Sequence, residues 1–238
     1  MRKALFIVVA VVVVLLVALD RIGLLIAHSQ IASRVQKSQG LGSRPQVSIK
    51  GFPFLTQVIG GRYGEVDVAV RDVTRNGLTV DKVSVHAFGV SVPLSQVLSG
   101  SVREVPVQRA EGAVTLGFVN LNNYTSRQLG EVLTVSSDGN KLRLTGTLPV
   151  APRPSVTAEA AIDVSGSAIT LRPAALDSVL SKVPGGQASR ALIERFFTVK
   201  VPISQLPFGI RLQRATVTKA GILIAASATG LTLRAPSG

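Results

Sequence analysis

Glu65 and Asp67 stand two residues apart in an alternating run, which puts both carboxyl groups on one face of a strand. Such a pair is the least that general acid–base catalysis or a Ca²⁺ site requires. Two acids on the wet face of a strand give the same spacing with no chemistry. The chain has two histidines. His28 follows the hydrophobic N-terminus. His86 shares a face with Ser84, opposite Val83 and Val85, so it is expected to point into solvent. Two solvated histidines do not make a histidine-rich metal centre. With no cysteine there is no disulfide, thiolate site or lipidated cysteine. Neither a Gly-x-Ser-x-Gly elbow nor a glycine-rich phosphate loop is present, and Gly60-Gly61 and Gly185-Gly186 read as turns or helix stops. The expectation is a non-catalytic protein without cofactor or metal.

The charge points to a different class of partner. The formal net charge is +13. Five of the 26 Lys and Arg (Arg2, Lys3, Arg21, Arg34, Lys37) and one of the 13 acids (Asp20) precede residue 40, so the remainder carries about +9. Nucleic acid and anionic lipid headgroups are the candidates. The cations are scattered along strands, and no basic groove interleaved with aromatics exists, which disfavours single-stranded nucleic acid. Arg71, Lys141, Arg143 and Arg211 alternate with apolar residues. Together with Arg62 they are either the wet face of a sheet or a rim that attracts headgroups, each worth about 1 kcal/mol beside an anionic leaflet.

The N-terminus decides between these partners. Met1-Arg2-Lys3 precedes 16 apolar residues, Ala4 to Leu19. As a helix they span ~24 Å against a ~30 Å hydrocarbon core. Asp20-Arg21 interrupts the run, with Arg21 placed to snorkel, and Ile22 to Ala27 is apolar again. A cleaved signal ending at Ala27-His28-Ser29 and an uncleaved anchor both fit; the anchor is preferred because that cut site lies far beyond the apolar core. In either case residues 1–27 are the targeting segment and residues 28–238 a single extracytoplasmic domain, held at the plasma membrane or released outside it. Nucleic acid is thereby disfavoured. Residues 22–38 are expected to continue as an amphipathic helix.

Beyond it, Gly51-Phe52-Pro53-Phe54-Leu55-Thr56-Gln57 concentrates aromatics in a chain with eight Phe, two Tyr and no Trp. Pro53 holds Phe52 extended and can open a helical turn. Phe54, Leu55, Val58 and Ile59 then share one face, and Gly60-Gly61 ends the turn before a strand at Arg62. Val66, Val68 and Val70 alternate with polar residues, and Asn76-Gly77 marks a hairpin. The phase slips at Asp81-Lys82. Pro93 to Leu98 reads as a short helix, Glu111-Gly112 as a turn between strands, and Asn120 to Val132 as a helix. Asp138-Gly139 marks a second hairpin. Val156 to Val164 is the longest alternating run. Pro173–Val183 and Gln187–Phe197 are helix candidates, and strands cover Ile210–Thr218 and Ile222–Leu233.

The Gly-Phe-Pro-Phe-Leu-Thr-Gln stretch, the Gly61-Arg62-Tyr63 after it, and Leu206-Pro207-Phe208-Gly209-Ile210 before the last two strands resemble the LmeA-like phospholipid-binding family of actinobacterial envelope proteins. The resemblance spans about residues 20–234. It implies an extracytoplasmic, membrane-associated domain that binds phospholipid and performs no known reaction.

The fold expected is α+β: a long curved antiparallel sheet wrapped around or packed on helices, similar to the tubular lipid-binding proteins, behind an N-terminal membrane helix. Such a sheet makes more apolar surface than its short helices can hide, and an acyl chain would fill the shortfall. The expected groove is lined by Phe52, Phe54, Leu55, Val58, Ile59, Tyr63, Phe88, Leu94, Leu98, Phe118, Tyr124, Leu176, Leu180, Phe196, Phe197 and Phe208. The function expected is binding of anionic phospholipid at the outer face of the plasma membrane, in maintenance of envelope lipid or lipoglycan. A non-catalytic anchored scaffold for envelope glycan-assembly enzymes is the alternative. An enzyme acting on lipid-linked sugars is the third reading, with Glu65 and Asp67 as its best acids.

Overall fold

The computed structural model describes residues 2–129, 133–147, 153, 155–165, 168–174, 180, 190–202 and 213–234. Helix α1 (Arg2–Ser38) is continuous through Asp20-Arg21. It includes a stretch long and apolar enough to cross a membrane. Its described side chains from Phe6 to Leu19 are exposed. Strand β1 (Gln46–Lys50), helix α2 (Phe54–Gly60) and strand β2 (Arg62–Arg75) follow. The aromatic motif thus breaks a strand into one short helix and returns to strand at Arg62, as its proline and glycines predict. Gly61 ends α2 in the left-handed region at φ 62. A methyl group there would lie 3.0 Å from the Pro93 Cα, so the position needs glycine for both conformation and space.

β2 turns into β3 (Leu78–Ser91) through Asn76 and Gly77, whose φ values of 50 and 79 are those of a type I′ hairpin. Burial along β3 shifts from Leu78 and Val80 to Val83, Val85 and Ala87, so the slip at Asp81-Lys82 is real. Helix α3 (Leu94–Leu98) lies where Pro93 predicts it. Strand β4 (Glu104–Gly117) corrects one expectation: Glu111-Gly112 does not turn, and the strand runs straight through it. A Glu-Gly pair permits a turn but does not compel one, and 14 residues of ladder outweigh it.

Helix α4 (Phe118–Leu129) leads to β5 (Leu133–Asp138), β6 (Lys141–Thr147), β7 (Ser155–Ser165) and β8 (Ala168–Pro173). The β5–β6 hairpin forms at the expected place, with Gly139 and Asn140 as the loop between the paired Asp138 and Lys141. Helix α5 (Arg190–Phe197), β9 (Val199–Pro202), β10 (Arg214–Val217) and β11 (Gly221–Arg234) complete the described elements. Pro173 closes β8, and most of the expected 173–183 helix lies outside the described residues, as do Pro149–Pro152, Pro154, Gly166 and Gly185-Gly186.

The architecture is α+β, with the strands in two sheets ordered β1-β2-β3-β4-β11-β10 and β5-β6-β7-β8-β9. Every pairing in the second sheet is antiparallel, as are β1–β2 and β10–β11. The chain forms two compact units: Met1–Val70, Ser84–Glu111 and Ala228–Gly238 in one, Arg71–Val83 and Gly112–Ser227 in the other. The long strands β2, β3, β4 and β11 contribute residues to both.

The second unit has a core of its own. Leu116, Leu121, Leu142, Leu144, Ile169, Leu171, Ile193, Phe197, Ile222 and Ile224 are fully buried. Asn122 on α4 donates to the Val135 carbonyl (2.9 Å) and accepts from its N–H (2.7 Å), fastening the helix to β5. Close approach at Gly221 is as demanding, because a methyl group there would strike the Leu116 carbonyl oxygen. Gly221→Ala is therefore expected to lower the unfolding temperature in detergent by about 2–10 °C, an overpacking cost of roughly 1–3 kcal/mol. Gly64→Ala, where a methyl group meets open space, should leave it within about 2 °C. Thermal unfolding followed by circular dichroism measures both.

Candidate functional site

In the first unit the motif helix α2 is tied to α1. Oδ1 of the buried Asp20 accepts the Leu55 N–H at 2.7 Å. Pro53 at the head of α2 offers no side-chain cap, so Asp20 satisfies from another helix one of the amides left over at a helix start. Oδ2 lies 3.2 Å from an Arg21 nitrogen, within ion-pair distance, yet no hydrogen bond of good geometry reaches it. Arg21 also stands over the Phe52 ring at 4.8 Å. Gly23 leaves room for Phe54 and Leu55, whose side chains would meet a methyl group there at 3.6–3.8 Å. One turn further on, His28 is not solvated as expected: its Nε2 accepts the Ile49 N–H at 2.8 Å, which fixes the ring neutral with its proton on Nδ1.

Above this junction the sheet face is apolar and incompletely covered. Ala87, Val90 and Val107 are buried, but Tyr63, Val66, Val92, Val105, Ala110, Leu231 and Leu233 packed against them are only half-covered. Burial holds the Tyr63 phenol above its ordinary pKa, so it stays neutral. The strip starts beside α2 and α3, because the Val92 N–H donates to the Gly61 carbonyl at 2.9 Å, joining the end of one helix to the start of the next. Its aliphatic members escaped the sequence reading, which favoured aromatics; the alternation of β3, β4 and β11 is the signal that carries them.

The acids expected on one strand face do converge with a histidine. Glu65, Asp67 and His86 each offer a ligand atom within 4.8 Å of the others. His86 Nδ1 lies 2.8 Å from Asp67 Oδ1, and Lys50 Nζ is 3.5 Å from Asp67 Oδ2. The lysine ammonium already supplies this carboxylate with a cation, which does not suit a divalent metal. The cluster is a cross-strand ion-pair network on a solvated face.

The remaining expected site residues divide between the units. With α2 and α3 lie Phe52, Ile59 and Leu98, exposed; Leu55, Val58 and Leu94, half-buried; and Phe54, buried. Phe88 is half-buried under the Arg109 guanidinium, 4.1 Å from the ring centre. Alternation sets it on the face opposite Ala87. Phe118 and Phe196 are half-buried, and Tyr124, Leu180 and Phe197 buried, in the second unit. Of the basic residues, Arg62 is exposed in the first unit. Arg71, Lys141 and Arg143 belong to the second, where Lys141 pairs with Glu159 at 3.0 Å and Arg143 with Asp138. Leu176, Phe208 and Arg211 lie outside the described residues.

The chain matches the family model for LmeA-like phospholipid-binding proteins over residues 18–227, and it belongs to that family. No curated protein and no solved structure matches it. The matched span opens just before Asp20, includes α2, the β2–β4 part of the apolar face and all of the second unit, and ends within β11 before Leu231.

If Asp20 holds α2 in place, removing its carboxylate releases the Leu55 amide first. Asp20→Ala is expected to speed hydrogen exchange at Leu55 about 5- to 30-fold, the equivalent of roughly 1–2 kcal/mol for a lost cap, while amides in β6 and β7 exchange as before. Asp20→Asn, which keeps an acceptor oxygen, should have the smaller effect.

Proposed function

We propose that this protein binds phospholipid by laying acyl chain along the half-covered face of the first unit, with the N-terminal helix keeping it at the outer face of the plasma membrane. The observation that carries the reading is the contrast between the two apolar interiors. The fully buried Leu and Ile side chains among the described residues lie in the second unit, whereas Tyr63, Val66, Val92, Val105, Leu231 and Leu233 surround three small buried residues of the first and remain half open. Each methylene moved from water onto such a surface contributes about 0.8 kcal/mol, so six or seven contribute about 5 kcal/mol before ordering costs. Membership of a phospholipid-binding family supports the same reading.

Headgroup selection follows from charge. Arg62 adjoins Tyr63 at the start of the strip and is exposed, and Arg103 stands exposed just before β4. No ion pair involves either among the described residues. Both guanidinium groups belong to the first unit, and their positive charge favours anionic lipids as ligands. Lys141 and Arg143 are neutralised by Glu159 and Asp138 and are not assigned to the headgroup. The role we assign is non-catalytic, in upkeep of envelope lipid or lipoglycan, because among the described residues Lys50 already engages Asp67 of the acid pair that lies beside a histidine.

Native mass spectrometry of the protein released from detergent, with flotation on vesicles with and without phosphatidylglycerol, tests this. Co-purifying phospholipid and stronger flotation with the anionic lipid at low salt are expected. Val105→Asp places a charge among the half-covered residues and should reduce lipid occupancy about tenfold, the equivalent of two lost methylene contacts. A lipid-free protein that ignores anionic vesicles would overturn the proposal.

A further inference from the structure

The elements beside the end of the apolar helix carry large side chains that nothing covers. Ile59 on α2 is 76% exposed, Leu98 on α3 79% and Phe52 61%. Isolated exposed apolar residues need no explanation, but Ile59 and Leu98 sit on two short helices in contact and Phe52 lies just before the first of them, where α2 is tied to α1. Asp20 and Gly23 are the residues of α1 that meet α2. Counting from Ala4, Asp20 lies about 24 Å along the helix, short of the ~30 Å of a hydrocarbon core. The apolar character of α1 extends past that point, with Ile22, Leu25 and Ile26 also exposed. If α1 crosses the bilayer with Ala4 near one boundary, α2 cannot stand clear of the other.

We infer that α2 and α3 seat in the interfacial zone of the bilayer that α1 crosses, and that they form the portal through which an acyl chain passes from membrane to apolar sheet face. The occupant of this exposed patch is the lipid surface itself. It is selected by the length of α1 and by Arg21, whose guanidinium over Phe52 pairs a cation with a ring at headgroup depth, a placement both groups favour. Passage follows from continuity. Gly61 joins the end of α2 to Val92, and Tyr63 and Val92 are the first members of the half-covered strip. A chain leaving the bilayer past Ile59 and Leu98 would come to Tyr63, two residues beyond Gly61 at the start of β2. This inference rests on the reading that α1 is an uncleaved anchor and that the strip takes acyl chain.

The chain contains no tryptophan, so one introduced tryptophan reports its own surroundings. Full-length Ile59→Trp and Leu98→Trp, reconstituted in phosphatidylcholine–phosphatidylglycerol vesicles, are expected to be quenched at least twofold by lipids brominated on the acyl chain. Lys219→Trp, on an exposed turn of the second unit, is the control and should not be quenched. Absence of quenching at both Ile59 and Leu98, or equal quenching at Lys219, overturns the seat. The double variant Ile59→Ser, Leu98→Ser changes exposed side chains only, and should slow uptake of a pyrene-labelled phospholipid about tenfold with final occupancy changed less than twofold. An unchanged rate overturns the portal. Quenching in a protein that takes up no phospholipid overturns the underlying function and leaves the seat standing; uptake without quenching does the reverse.

Discussion

One buried carboxylate governs how the rest of this protein meets its surroundings. A charged oxygen removed from water costs several kcal/mol unless it is paired, so Asp20 on a long apolar helix must find partners or be expelled. It finds the Leu55 amide and the neighbouring Arg21 guanidinium. The same bond relieves α2, whose first residue is preceded by a proline without capping ability. Two local deficits, a charge in an oily helix and an uncapped turn, cancel across 35 residues of sequence. The apolar helix and the motif helix α2 are thereby held in a defined register, with Phe54 and Leu55 packed beside Gly23.

The two units solve the problem of an apolar sheet face differently. In the second, helices α4 and α5 bring Leu121, Ile193 and Phe197 onto the strands, and these three side chains are buried. In the first, the helices α2 and α3 are seven and five residues long. They are too short to cover the face formed by β2, β3, β4 and β11. Incomplete burial costs stability, and a domain that accepts the cost keeps a surface on which a hydrocarbon chain is a better neighbour than water. The membership in a phospholipid-binding family and the geometry therefore agree without either depending on the other.

Local chemistry was legible in the sequence; distant partnership was not. Gly-Phe-Pro-Phe gave a broken strand and a single helix, Asn76-Gly77 and Asp138-Gly139 gave hairpins, and Pro93 gave α3, because each depends on φ preferences within a few residues. Glu111-Gly112 misled because a turn signal loses to an extended ladder that only the neighbouring strands reveal. Asp20 read as an interfacial charge and His28 as a solvated ring, since their partners Leu55 and Ile49 are far away in sequence. The groove was sought mainly among aromatics, and the structure puts only Tyr63 of the described ones on the half-open strip, with Phe52 exposed before α2, Phe88 on the opposite face, and Phe54, Tyr124 and Phe197 buried. The half-open wall is mostly valine and leucine, residues whose alternation marks a strand but not which faces stay uncovered.

The side chains that fasten helices to outer strands carry one more consequence. β1 and β5 each end a row of strands, and the free backbone of such a strand invites another copy of the chain to add its own. His28 occupies the Ile49 amide, and Asn122 takes both polar groups of Val135, so each margin is interrupted at the point where a neighbour would register. A protein confined to two dimensions meets its own kind far more often than one free in solution. At these two margins an added strand would find the Ile49 amide and the Val135 backbone already taken.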